Sequence, residues 1–190
     1  MGRKPRLPRR LKSQLLKALV VCLAVLAAAA AAPGGASAPH ERGIVTRVVD
    51  GDTLVVQLES GKSEHVRLIG IDTPESKPNK RALLQAGRSH RDEQSIVAMG
   101  KDAFRATEQI SPPGTAVTLE YDVQPRDKYR RLLAYVHLPD GTMLNEEIVA
   151  RGYAVLLTIP PNIRHTERFR RALDASRAAR RGLWADAQPW

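Results

Sequence analysis

The chain has 190 residues, 26% charged and 43% hydrophobic, and a formal net charge of +10, a composition that excludes a disordered chain or a multispanning membrane protein. The surplus is uneven: residues 1–38 carry seven cations and no acids, leaving 23 Lys and Arg against 20 Asp and Glu in residues 39–190. With only +3 on the remainder, global charge is no argument for a polyanionic partner, so local placement of Arg and Lys has to carry it.

The N-terminal segment runs basic to Lys17, apolar from Ala18 to Ala32, then small from Pro33 to Ala38. That layout predicts a secretory signal peptide over residues 1–38 and an exported protein, secreted or held in the cell envelope. Its 15 apolar residues fall short of the roughly 20 that span a bilayer, and an uncleaved anchor is the alternative. Ala36-Ser37-Ala38 fits a cleavage signal, although Pro39 is a poor neighbour for the cut. Arg9-Arg10 reads as chance adjacency in a basic stretch rather than as a twin-arginine signal. Cys22, the only cysteine, lies in the apolar run, so cleavage leaves no disulfide or thiolate, and any metal must take oxygen or imidazole ligands.

Gly43–Val49 and Thr53–Leu58 are rich in β-branched residues and flank Asp50-Gly51-Asp52, which predicts a hairpin. Glu64–Ile71 reads as a third strand, with His65, Arg67 and Ile69 on one face and Val66, Leu68 and Gly70 on the other; Pro74 ends it. Ser76–Arg91, polar, basic and proline-containing, is expected to be a mobile loop. Asp92–Ile110 has helical spacing through Ile96, Met99, Ala103, Phe104 and Ile110, and Ser111-Pro112-Pro113-Gly114 stops it. Strands follow at Thr115–Tyr121 and Leu132–Leu138, then a helix around Leu144–Arg151 and a last one from about Arg164 to Arg181, packing through Phe169, Leu173 and Leu183. Strands then a helix, two strands and more helices give an α+β chain dominated by β: a five-stranded OB-fold barrel with about three helices, one domain over 39–190.

Four features carry chemistry: Asp50-Gly51-Asp52-Thr53, Arg67, Asp72-Thr73-Pro74-Glu75, and Asp127-Lys128-Tyr129-Arg130-Arg131. Each alone reads as a turn or a solvated charged loop. Together they are complementary. Asp52 and Asp72 are hard oxygen ligands at the ends of neighbouring strands, suited to Ca²⁺ with carbonyls and waters. Arg67 and Arg131 can grip phosphate oxygens bidentately, Glu75 is a free carboxylate able to accept a proton from water, Lys128 offers a point charge and Tyr129 a hydroxyl.

These motifs, with Leu132-Leu133-Ala134-Tyr135, Leu144-Asn145-Glu146, Gly152 and Gly182-Leu183-Trp184, occur in the order and approximate spacing of the staphylococcal-nuclease-like (thermonuclease) family. The resemblance spans about Gly43 to Trp184. It implies an OB-fold nuclease that hydrolyses DNA and RNA with Ca²⁺. It also implies Asp52, Asp72 and the Thr73 carbonyl as calcium ligands and Arg67, Glu75 and Arg131 as the catalytic group. Lys128 and Tyr129 would contact a substrate phosphate, with Asp50 and Asp127 shaping the site from nearby. No obligate protein partner is implied, and a monomer is expected. A non-catalytic OB-fold module that binds nucleic acid or protein is the alternative, against which the calcium-binding carboxylate pair argues; an envelope-tethered scaffold is a third.

The chain departs from the family pattern in three places. Arg130 stands where the family has glycine, which predicts backbone strain if the position needs positive φ. Leu157-Thr158-Ile159-Pro160-Pro161 stands where aromatic residues stack on the nucleotide, leaving Tyr153 as the nearby aromatic. The stretch between Glu75 and Phe104 is about ten residues longer, and its Lys77, Lys80, Arg81, Arg88 and Arg91 read as a solvated loop rather than a substrate contact. His65, on the Arg67 face, reads as a structural or exposed strand histidine rather than a site residue, and His90, His137 and His165 lack zinc-ligand spacing, which argues against a histidine-based nuclease or zinc enzyme.

Overall fold

The computed structural model describes residues 40–185; the expected signal segment, with Arg9, Arg10 and Cys22, lies outside them. β1 (His40–Asp50) and β2 (Thr53–Leu58) form the expected hairpin around Gly51-Asp52, and β3 (Ser63–Leu68) pairs antiparallel with β2, setting Arg67 opposite Thr53. β5 (Ala116–Glu120) and β6 (Leu132–His137) complete a closed barrel in the order β1-β2-β3-β6-β5, with β3 and β6 parallel and Arg67 beside Leu133. Val45, Leu54, Val56, Val66, Leu119 and Val136 fill its interior with no exposed surface. This is the five-stranded OB-type barrel that the pattern predicts.

The third strand is shorter than expected. It breaks at Ile69, and β4 (Gly70–Asp72) leaves the barrel to pair with β7 (Val155–Leu157), a strand the sequence reading missed. Gly70 makes the break possible: its φ is +83°, and a Cβ there would lie 2.7 Å from the Phe169 ring. Asn145, fully buried, holds the junction by accepting from Val136 N and donating to the carbonyls of Ile69 and Ala134.

Ser76–Arg91 is not a mobile loop. Its centre is helix α1 (Lys80–Ser89), capped by Asn79, whose side-chain oxygen accepts from Arg81 N and Ala82 N at 2.8 Å. Ala82, Gln85, Ala86 and Ser89 form a buried stripe at helical spacing, and Ala82 and Ala86 pack on Ile96 and Val97 of α2 (Glu93–Ile110). The basic composition and Pro78 masked that stripe. Helices α3 (Leu144–Ala150) and α4 (Thr166–Ala178) follow, so there are four α-helices among the described residues rather than about three. α4 ends earlier than Arg181; a 3₁₀ turn over Gly182–Trp184 then buries Trp184, while Leu183 stays partly exposed. Among the described residues, no helix is long and apolar enough to cross a membrane.

Two histidines serve the fold. Burial alone would raise the Glu120 carboxyl, but hydrogen bonds with Arg164, His137 and His165 outweigh it and hold the group down at about 2. The cluster ties β5 and β6 to the start of α4. Glu120 therefore adds stability above the ordinary carboxylate range that is lost only as pH falls towards 2.

Candidate active site

Asp52 sits in the tight β1–β2 turn and Asp72 at the end of β4, and both turn towards Arg67 on β3. Arg67 Nη1 lies 2.7 Å from Asp52 Oδ2, and Nη2 donates to Asp72 Oδ1 at 2.7 Å. One guanidinium thus spans both carboxylates. Arg67 and Asp52 are each 5% exposed, so the pairing occurs largely out of water and needs full hydrogen bonding. Thr73 supplies it: its N–H donates to Asp52 Oδ2 at 3.0 Å and its hydroxyl to the same atom at 3.2 Å, while the Thr53 hydroxyl donates to Oδ1.

The chain from Thr73 to Ser76 lies against α2 at Gly100, where a Cβ would come within 2.2 Å of the Glu75 carbonyl oxygen. On its other side, Gln85 of α1 accepts from Glu75 N at 3.0 Å and donates to the Thr73 carbonyl at 3.2 Å. Glu75 is thereby fixed at its backbone, and its carboxylate accepts from Asn79 Nδ2 at 2.8 Å and faces Arg81 Nε at 3.2 Å. Arg81 Nη2 also donates to Asp72 Oδ1. Asn79, Gln85 and Gly100 stand in none of the sequence motifs, and Arg81, expected in a solvated loop, instead meets Asp72 and Glu75. An Asn cap followed by an Ala-x-x-Gln-Ala-x-x-Ser stripe was the available signal.

Asp127 organises the last loop. Its Oδ1 accepts from Tyr129 N and Arg131 N, and its Oδ2 from Arg131 Nε at 2.7 Å, which fixes the Arg131 guanidinium. Tyr129 is 69% exposed, with Lys128 Nζ 5.1 Å and Arg131 Cζ 5.6 Å from its ring centre. Arg130 has φ +68°, so the expected strain is present. The loop retains this conformation because Arg130 N donates to Asp127 O and Arg130 O accepts from Arg126, which also grips Glu64. Arg130→Gly is expected to raise stability by up to about 1 kcal/mol, read from the urea midpoint, with hydrolysis unchanged within about twofold. A loss of stability would mean that the side chain does more than tolerate its backbone.

Asp50, Asp52, Glu75, Arg81, Tyr129 and Arg131 line one open cavity of about 600 Å³, which His65 and Lys80 also border. A neighbouring cavity of about 480 Å³ shares Arg81, Tyr129 and Arg131 and adds Arg67, Lys128 and Asp127 with the aliphatic surface of Ile71, Leu157 and Ile159. All ten sequence-predicted site residues fall on or directly beneath these two surfaces, with Asp72 and Thr73 under Arg67, Arg81 and Gln85. His65 is exposed at the rim, and His137 and His165 lie with Glu120.

The donors suit a hard cation. They are oxygens: the Asp52 and Asp72 carboxylates, the Thr73 carbonyl, and the nearby Asp50 and Glu75. Among the described residues, no three His, Cys, Asp or Glu side chains converge as a ready ligand set. Carboxylate and carbonyl oxygens of this kind are donors for a hard cation, not the Cys and His set of a tetrahedral zinc site. Burial, then the charges of Asp52 and Glu75, push Asp50 up to about 6, against hydrogen bonds from Gly51 N and Ser76. Asp72 is raised too, burial outweighing Arg67 and Arg81.

The Asp50 carboxyl, raised in the folded state, favours folding fully below about 3.8, and that contribution is lost as pH rises through about 6. Asp50→Asn is therefore expected to stabilise chelator-treated protein at pH 8 by ~1–2 kcal/mol, and to give no gain at pH 3.5. Thermal melts at the two pH values check this; an equal gain at both would remove the electrostatic cause.

The profile of the family described as "Staphylococcal nuclease homologue" matches residues 65–186. The chain is similar to the thermonuclease of Staphylococcus hyicus, 34% identical over 143 residues covering 75% of each chain. It is also similar to the thermonuclease of Staphylococcus intermedius, 35% identical over 142 residues covering 74% of each. Endonuclease YhcR of Bacillus subtilis (strain 168) is 30% identical over 160 residues, which span 83% of this chain and 12% of YhcR.

Proposed function

This chain belongs to the staphylococcal nuclease family and hydrolyses phosphodiester bonds, and from that premise we propose that it is a calcium-dependent nuclease acting on DNA, RNA or both by attack of water on phosphorus. The observation that carries the reading is the convergence of Asp52 and Asp72 on one guanidinium, beside a cavity that Glu75 and Arg131 also line.

Asp52, Asp72 and the Thr73 carbonyl would hold Ca²⁺, which when bound draws charge from a phosphate oxygen. Glu75, braced by Gln85 and Asn79, orients the attacking water and accepts its proton. Arg67 and Arg131, each held by a carboxylate, meet the negative charge that grows on the phosphoryl oxygens. Lys128 and Tyr129, on the exposed loop, contact a phosphate of the bound strand. The base lies against Leu157 and Ile159, whose aliphatic surface gives weaker stacking and little base preference. Residues 1–38 direct export, and residues 39–190 act as a monomer without an obligate protein partner.

Incubating the full chain with single-stranded DNA, with Ca²⁺ or with a chelator, tests this. Degradation is expected with calcium and not with chelator. Degradation indifferent to chelation would remove the divalent ion from the mechanism.

A further inference from the structure

Arg81 belongs to none of the motifs that carry the family resemblance. It stands in the first turn of α1, within the longer segment between Glu75 and Phe104, and reaches back over the carboxylates. Its Nη2 donates to Asp72 Oδ1 and its Nε lies 3.2 Å from Glu75 Oε1. Arg67 meets the same Asp72 oxygen at 2.7 Å, but the two arginines are held differently. The Arg67 side chain is 7% exposed and is gripped by two carboxylates in the barrel wall. The Arg81 side chain is 43% exposed and approaches from the solvent side, along the wall shared by the two cavities. Of the two cations on Asp72, Arg81 is the one that can leave without opening the core.

We propose that Arg81 is a built-in competitor of the divalent cation: its guanidinium covers Asp72 and Glu75 and must be displaced before an ion is held there, so α1 sets the cation affinity. The inference rests on the reading of Asp52 and Asp72 as cation ligands. Two like charges contending for one partly buried carboxylate oxygen repel strongly enough to shift an affinity by about tenfold. The long side chain finds new partners in solvent when displaced, so the competition is reversible.

Calorimetric Ca²⁺ titration of the full chain at low ionic strength, without nucleic acid, tests this. Arg81→Gln is expected to bind Ca²⁺ about tenfold more tightly than the unaltered chain. Arg81→Lys keeps the charge but cannot reach both carboxylates at once, and is expected to tighten binding about threefold. Lys80→Gln removes the same charge one residue earlier, at a position bordering the same cavity, and is expected to change affinity less than twofold. Equal or weaker binding by Arg81→Gln overturns the proposal, and so does an equal gain from Lys80→Gln. Should Arg81→Gln lack a melting transition, Arg81→Lys carries the test, with unchanged affinity overturning it. Absence of calcium binding by every chain, the unaltered one included, would overturn the underlying cation reading instead.

Discussion

Arg67→Ala is expected to lower kcat/KM for single-stranded DNA by about a thousandfold or more. Two effects combine. The guanidinium is lost from the place where charge develops, and Asp52 and Asp72 lose the cation that both of them contact. With Asp52 only 5% exposed, an unpaired carboxylate is left in a largely dry pocket, and breaking such a pair costs about 3–5 kcal/mol. A drop in the melting temperature should therefore accompany the loss of rate. Arg67→Lys separates shape from charge: an ammonium is a point that cannot bridge two carboxylates, so most of the rate should stay lost. Near-normal turnover by Arg67→Lys would show that the fork is not what the reaction uses. Arg131→Ala acts from the cavity wall, with 27% of its side chain exposed and Asp127 as its partner, so the rate should fall similarly with far less loss of stability.

Gly100→Ala is expected to be the most damaging methyl group that can be added near the site. In a helix interior, alanine ordinarily stabilises by about 0.5–1 kcal/mol over glycine. Here the new Cβ would lie 2.2 Å from the Glu75 carbonyl oxygen and 2.6 Å from Ser76 N, both backbone atoms that no rotamer change can move. The segment must shift, and Glu75 and the Thr73 carbonyl shift with it. A displacement of about 1 Å costs on the order of a hundredfold in rate, and the overpacking about 1–3 kcal/mol in stability. Gly87→Ala on α1, which meets nothing within 4 Å, provides the contrast: slightly higher stability and unaltered rate. Normal turnover by Gly100→Ala would show that the position of Glu75 is not critical.

Much of this architecture was legible because each barrel strand carries a local signal. Val and Ile flank an Asp-Gly turn in β1 and β2, and prolines close α2, so these elements fall within a few residues of their expected bounds. The pairing of β4 with β7 was not legible. Three-residue strands carry no period, and the break at Ile69 depends on Gly70 meeting Phe169, a residue distant in the chain. Helix α1 was concealed by composition: Lys80, Arg81 and Arg88 read as a solvated loop, whereas the helix buries Gln85, which satisfies two backbone groups of the Thr73–Glu75 segment. The motif residues were legible as a set since each is of a type that phosphate or a hard cation needs. Arg81, Gln85 and Gly100 were not, because they act through contacts made only in the folded chain.

The claim beneath all of this is that Asp52 and Asp72 share one divalent ion. Calcium titration of Asp52→Asn and Asp72→Asn beside the unaltered chain tests it most directly. A single ion is expected to bind the unaltered chain, and binding too weak to detect is expected for either variant. Undiminished binding by both variants would contradict it.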